Sequence, residues 1–484
     1  MGLAGILGGL GLLILLAFRG WSVLLLAPIA ALIAALFSGE PLLAHWTQTF
    51  MGGAAEFLAR FFPLFLLGAI FGKLMEDSGS VTAIATFITR QLGSQRAMLA
   101  VVLAGALVTY GGVSLFVAFF VLAPMAQELF RSANIPRRLM PAAIVLGTST
   151  FTMSALPGTP SIQNAIPMPF FGTTPFAAPG LGILASLIMV GFGLWWLNRE
   201  EKRARKRSEG FGVGAPMPTD RLATDEKLRE RATTAREFDP AEILHGEQTD
   251  TPPPITSAIL PLLVVIAVNL AMSLFILPAL DTRYLADPRF GGVTLADLGG
   301  VWAVITALTC AIVTVLVVSH RRLPALRATM DAGANAAVLP ALSVASLVGF
   351  GAVVAAMPAF AVVRDAVLSI GGGPLVSLAV ATNSLAALTG SASGGLTIAL
   401  DALGSTYLER AMAIGLDPAL LHRVAVIGSG TLDSLPHNGA VVTLLAVCGS
   451  THRESYRDIV IVGIVGAMIA LAVVVVVGSM FGSF

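Results

Sequence analysis

Two short stretches hold the residues with the most chemistry. "LGTSTFTMSALPGTPSIQNAIP", residues 146–167, sets hydroxyls, two amides, glycines and three prolines between apolar runs. "GSGTLDSLPHNGAVV", from Gly428, carries Asp433, His437 and Asn438 in equally apolar surroundings. In the first, Thr150, Thr152 and Ser154, with Gly158 and Thr159 beyond the Leu-Pro step, could bond the hydroxyls or carboxylate of a small ligand. Each hydroxyl could as readily bond the carbonyl one turn back in its own helix. Of the two amides, one satisfies freed carbonyls, and Asn164 is the candidate ligand contact. In the second, Thr431, Ser434 and Asn438 supply the same polar groups. Asp433 and His437 are titratable, so either could carry a proton. The plainer alternative makes Asp433 a cap for the resumed half-helix and His437 a satisfied neutral group.

Two glycine pairs add to this set. "TYGGVS", from Thr109, and "TGSASGG", from Thr389, offer backbone that can approach a ligand closely, plus hydroxyls. The candidates there are Gly111, Gly112 and Ser114 in one, and Ser391, Ser393 and Gly394 in the other. A tight turn without function is the alternative. Glu76 and Asp77, beside Lys73, read as a solvated helix end. No arginine is expected near either Leu-Pro step, which argues against a dicarboxylate. No phosphate-binding loop, dinucleotide fingerprint or His/Cys metal cluster occurs, so a cofactor, a metal and ATP-driven transport by this chain alone are not expected.

The elements that must position these residues are membrane helices. Of 484 residues, 56% are hydrophobic and only 12% charged, with mean hydropathy +0.85, whereas a soluble domain carries roughly 25% charged residues. The partner is therefore a lipid bilayer, not nucleic acid. Shifting the sequence by about 280 residues aligns the punctuation of two halves. "TYGGVSLFVAFFV" faces "SASGGLTIALDAL", and "SALPGTPS" faces "DSLPHNGA". Each half has a Gly-Gly interruption, a short polar turn and a helix broken at Leu-Pro. The expected fold is an all-α polytopic membrane protein with two inverted-topology repeats, re-entrant helical hairpins and broken transmembrane helices. Such interruptions at matching positions point to a transporter site near the midplane.

The chain divides into N-terminal helices at 1–51 and a first repeat at 52–198, with a hairpin at about 97–130 and a broken helix at about 138–170. A charged linker at 199–254 follows, then two connecting helices at 255–320. The second, inverted repeat covers 338–484, with a hairpin at about 374–415 and a broken helix at about 420–447. In all, roughly ten spans accompany the two hairpins. Lys/Arg placement puts the linker in the cytoplasm, at "REEKRARKR", and both termini outside. Arg364, Arg410 and Arg423 then fall on the outer side, and the paired Trp195 and Trp196 suit the interface.

"STFTMSALPGTPSIQNAIPMPFFGT" together with "SGTLDSLPHNGAVVTLLAVCGSTHRESYRDI" resembles the gluconate permease (GntP) family of proton symporters. The resemblance implies secondary transport of a small hydroxy-carboxylate or related anion such as gluconate, D-serine or 3-hydroxybutyrate. It also implies membership of the ion-transporter superfamily and a homodimer. The long linker and "FPLFLLGAIFGKLMEDSG" point to the hydroxybutyrate permease-like branch. The expectation is import of a small hydroxy-monocarboxylate across a bacterial inner membrane, driven by the proton gradient, with Asp433 or His437 as the coupling group. Sodium-coupled di- or tricarboxylate transport, with "ATNSLAALTGSASGG" supplying sodium ligands, is the alternative. A passive anion channel or an exporter is a further one.

Overall fold

The computed structural model describes residues 1–19, 21–212, 249, 251–436 and 438–484. His437 and most of the charged linker lie outside the described residues. All regular structure within them is helical. In hydrocarbon a segment must pair its own backbone, which an uninterrupted apolar run does by forming a helix. Among the described residues, six helices are long and apolar enough to cross a bilayer. They are α3 (Leu42–Asp77), α11 (Pro179–Lys206), α12 (Ile255–Ala279), α13 (Leu295–Ser319), α14 (Leu326–Ala356) and α20 (His452–Phe481). The shorter α1 (Gly2–Phe18) and α2 (Val23–Ser38) pack on each other, and α2 packs on α14. Because α11 continues to Lys206, the first turns of the charged linker are helical.

Between these rods lie two sets of interrupted elements. In the first, α4 (Ser80–Leu92) is followed by the helix Ser94–Tyr110 at 102°. The regular part of that helix, α5 (Ala97–Tyr110), is joined to α6 (Leu115–Ser132) through Gly111–Ser114. A helix broken into α7 (Met140–Thr148), α8 (Phe151–Ser154), α9 (Ile162–Ala165) and α10 (Pro167–Phe171) comes next. The second set repeats the order: α16 (Gly373–Thr389), α17 (Ala392–Ala413), then a helix broken into α18 (Pro418–Thr431) and α19 (Gly439–Val447). α15 (Phe360–Leu368) leads into it. Packing follows the same order. α5 and α6 hold α7, and α16 and α17 hold α18. The far halves are exchanged: α19 packs on α6, while α9 and α10 pack on α17.

Close approach needs small residues at the crossings. A Cβ on Gly147 would come within 2.5 Å of the Val102 carbonyl oxygen, where α7 crosses α5. A Cβ on Gly395 would collide with the Ala386 backbone, where α17 crosses α16. Gly395→Ala is therefore expected to cost about 1–3 kcal/mol by overpacking. Gly191→Ala, in open space on α11, is expected to leave stability unchanged or slightly raised. Thermal unfolding in detergent compares the two; equal midpoints would rule out a tight crossing at Gly395.

Candidate functional site

At the first break the hydroxyl donors bond backward. Thr150 Oγ1 donates to the Leu146 carbonyl at 2.7 Å, Thr152 Oγ1 to Thr148 at 3.0 Å, and Ser154 Oγ to Thr150 at 3.0 Å. Beyond Ser154 the helical ladder stops, and the freed carbonyls find side chains. Arg423 Nη1 donates to Ala155 at 3.1 Å, and its Nε and Nη2 donate to Ala177 at 3.1 and 2.6 Å. Tyr110 Oη reaches Pro157 at 2.8 Å, Asn269 Nδ2 reaches Gly158 at 2.9 Å, and Ser161 Oγ reaches Met153 at 2.8 Å. Asn164 Nδ2 bridges the Thr159 and Pro175 carbonyls, both at 3.0 Å, and its Oδ1 lies 3.1 Å from His422 Nε2. An arginine thus stands at the first break, contrary to the sequence expectation. Arg423 is wholly buried, and it binds backbone oxygens because an interrupted helix offers them as its nearest acceptors.

The second break is closed in the same manner. Asn438 caps the resumed half-helix α19, its Oδ1 accepting from Ala440 N at 2.8 Å, and its Nδ2 donates to the Gly390 carbonyl at 3.0 Å. Asp433 Oδ1 accepts from Asn438 Nδ2 at 2.8 Å and from Ala392 N at 2.9 Å. Asp433 therefore caps not the resumed half-helix but α17, on the neighbouring tip. Ser391, the N-cap residue of α17, accepts from Gly394 N at 3.2 Å. Tyr456 Oη donates to the Ser434 carbonyl at 3.2 Å, and Thr431 Oγ1 donates to Ile427 at 2.7 Å.

A cavity of about 210 Å³ lies where these elements converge on α3. Its wall includes Gly112, Ser114 and Leu115 of the first tip, Met153 and Pro160–Gln163 of the first break, and Ser393 of the second tip. Leu64–Glu76 of α3 and Ala332–Val344 of α14 contribute most of the rest, with Thr109 of α5. Gly112 adopts φ +97°, which turns the chain at the wall, and a Cβ there would press on Pro160 at 3.0 Å. Much of the lining is apolar. Among the described residues, the charged side chains in it are Lys73 and Glu76. Lys73 Nζ lies 3.5 Å from Glu76 Oε2 and 3.0 Å from Asp77 Oδ1, and Thr329 Oγ1 donates to Asp77 Oδ2 at 2.6 Å. All three charged side chains are buried. The solvated helix end expected here is instead an enclosed ion cluster, because α14 and the first tip cover it.

Of the candidate residues, the cavity gathers Gly112, Ser114 and Ser393. Gly111 faces Leu262, Asn164 braces the backbone, and the second-break residues stand behind the second tip. The amide on the wall is Gln163, whose buried Oε1 has no hydrogen-bond partner. Sequence reading chose its neighbour. Lys73 carried a usable signal, since acids at i+3 and i+4 share its helix face. Trp196, expected at the interface, is buried and donates from Nε1 to Asp458 at 3.0 Å.

Removing the Asp433 carboxylate strands a helix N–H and an amide, a loss of about 1–3 kcal/mol for buried groups. Asp433→Ala is expected to lower the unfolding midpoint clearly, and Asp433→Asn, which keeps one acceptor oxygen, by less than half as much. Equal midpoints for Asp433→Ala and the parent would exclude this bracing role.

The description "GntP family permease" matches residues 1–169. An uncharacterized transporter of Bacillus subtilis, YxjC, is 40% identical over 482 residues, covering 97% of this chain and 98% of that protein. The high-affinity gluconate transporter of Escherichia coli is 30% identical over 161 residues, covering 32% of this chain and 35% of its own length. Among solved structures, the Neisseria gonorrhoeae efflux pump MtrF aligns with TM-score 0.55 at 13% identity, over 90% of this chain and 85% of that one. The Alcanivorax borkumensis YdaH transporter aligns with TM-score 0.50 at 16% identity, over 91% of this chain and 89% of that one. At such identities the likeness is one of fold. With the near full-length relative and the family match, this chain belongs to the GntP permease family and is a multi-pass membrane transporter rather than an enzyme.

Proposed function

We propose that the protein imports a small hydroxy-monocarboxylate, of the gluconate or hydroxybutyrate type, by proton symport across a bacterial inner membrane. The observation that carries this reading is the composition of the cavity wall. One cation, Lys73, suits one carboxylate. Ser114, Ser161, Gln163 and Ser393 suit hydroxyls, and the apolar remainder suits a carbon chain. Gln163 Oε1 is a buried acceptor in want of a donor, and a substrate hydroxyl supplies one. An unmet acceptor of this kind discriminates strongly between a hydroxylated ligand and its deoxy analogue. The gluconate named for the similar Escherichia coli transporters fits the same description.

In this reading α5–α6 and α16–α17 are re-entrant hairpins of two inverted repeats. The exchanged packing of α19 on α6 and of α9 and α10 on α17 supports the pairing. Rocking one repeat against the other would open the cavity to each side in turn. The charged linker lies in the cytoplasm and both termini lie outside.

Uptake into proteoliposomes tests the reading. Radiolabelled gluconate and 3-hydroxybutyrate are offered in sodium-free buffer under an inward proton gradient, and at least one should accumulate. Accumulation only with sodium would favour the alternative coupling, and downhill flux alone would favour a channel. Lys73→Gln is expected to raise the half-saturation concentration about tenfold to a hundredfold, the worth of a hydrogen bond to a charged group. Gln163→Leu is expected to weaken the hydroxy acid about threefold to tenfold while leaving unsubstituted butyrate unaffected. An equal effect on both ligands would show that Gln163 does not read the hydroxyl.

A further inference from the structure

We infer that Glu76 carries the co-transported proton, its carboxyl and the substrate carboxylate taking turns on the Lys73 ammonium. This deepens the proton-symport reading above and rests on it. The geometry separates the two acids beside Lys73. Asp77 is anchored from α14 by Thr329 and does not line the cavity. Glu76 does line it, and its Oε2 lies at the longer distance, 3.5 Å, from Lys73 Nζ. Of the two carboxylates beside the ammonium, Glu76 is the one a substrate can displace.

Charge balance then requires the proton. One cation already faces two carboxylates, so a third anion entering beside them meets net repulsion in a low-dielectric site. A proton taken by Glu76 from water on the entry side restores the former balance and loosens its hold on Lys73 Nζ. The substrate carboxylate then pairs with that ammonium. After access changes, Glu76 returns its proton to water on the far side, re-pairs with Lys73 and displaces the substrate. No covalent bond other than the O–H is made or broken. One proton moves with each monoanion, so transport is electroneutral.

Among the described residues, the elements packed around this end of α3 place no other titratable group on the cavity. Thr109 of α5, Ser114 of the first tip, Gln163 of the first break and Ser393 of α17 are uncharged. α14 carries Arg327 and Asp331, which lie 3.7 Å apart with side chains 96% and 68% exposed. The charges that bear on Glu76 are Lys73 and Asp77 of its own helix. Asp433 is tied to Ala392 and Asn438 and does not reach the cavity.

The test is gluconate transport by reconstituted full-length protein. In the wild type, an inward gradient of one pH unit should hold the substrate at a ratio of about ten, as one-proton coupling demands. A valinomycin-imposed potential at equal pH should add nothing. Glu76→Gln, a neutral mimic of the protonated carboxyl, should still exchange gluconate across the membrane but bring the ratio to about one. Glu76→Asp should keep accumulation, with the midpoint of the pH–exchange profile displaced. Asp433→Asn should accumulate like the wild type. Accumulation by Glu76→Gln overturns the assignment, as does its loss in Asp433→Asn alone. If Glu76→Gln fails to assemble, an unmoved profile in Glu76→Asp overturns it equally. The same measurements are made with 3-hydroxybutyrate where gluconate is not taken up, and a wild type that accumulates neither under any gradient refutes the transport reading itself, a result distinct from the others.

Discussion

A helix broken inside a bilayer releases backbone groups that water cannot reach, and each must find a partner within the protein. Most of the polar chemistry of this chain answers that requirement. Arg423, Tyr110, Asn269 and Asn164 come from separate parts of the sequence and end on the carbonyls of 155–175. Around the second break Asn438 and Tyr456 donate to the Gly390 and Ser434 carbonyls, and Asp433 accepts from the Ala392 N–H. The breaks are therefore clamps as well as interruptions. The first ties to α18 through Arg423 and to α12 through Asn269, and the second to α20 through Tyr456.

The clamps determine what remains free. Once the hydroxyls of Thr150, Thr152 and Ser154 have bonded backward, the first break presents Ser161 and Gln163 to the cavity. Among the described residues, the second break presents nothing there directly. Its Asp433 holds the start of α17, whose Ser393 reaches the wall. The cavity thus draws on both repeats, while the charge within it comes from a continuous helix. Buried ion clusters are weak sources of stability, because desolvation offsets their attraction. Lys73 and Glu76 in such a place speak for a role in handling charge.

The interruptions were readable because Gly and Pro weaken a helix, and Gly-Gly and Leu-Pro steps recur in the same order in both halves. Single steps such as Gly52-Gly53 and Leu260-Pro261 nonetheless lie inside unbroken helices. The interrupted elements are α5–α6, α7–α10, α16–α17 and α18–α19. The roles of individual polar residues were not readable in the same way. Asn164 and Gln163 are chemically alike and adjacent; which one braces and which one faces space depends on where Pro175 and His422 arrive. Glu76 and Asp77 sit at a helix end beside a lysine, a pattern that suits solvent until α14 covers it. Arg423 lies in "LLHRVAV", with no local sign that its guanidinium reaches Ala155.

The sequence by itself determined that this is a membrane transporter of broken helices, since hydropathy and helix-breaking residues act through local free energies that need no partner. Tertiary structure alone decided which polar groups are satisfied and which remain to meet a substrate. That choice is a competition for hydrogen bonds among segments hundreds of residues apart, and only the packed arrangement of helices shows which of them wins.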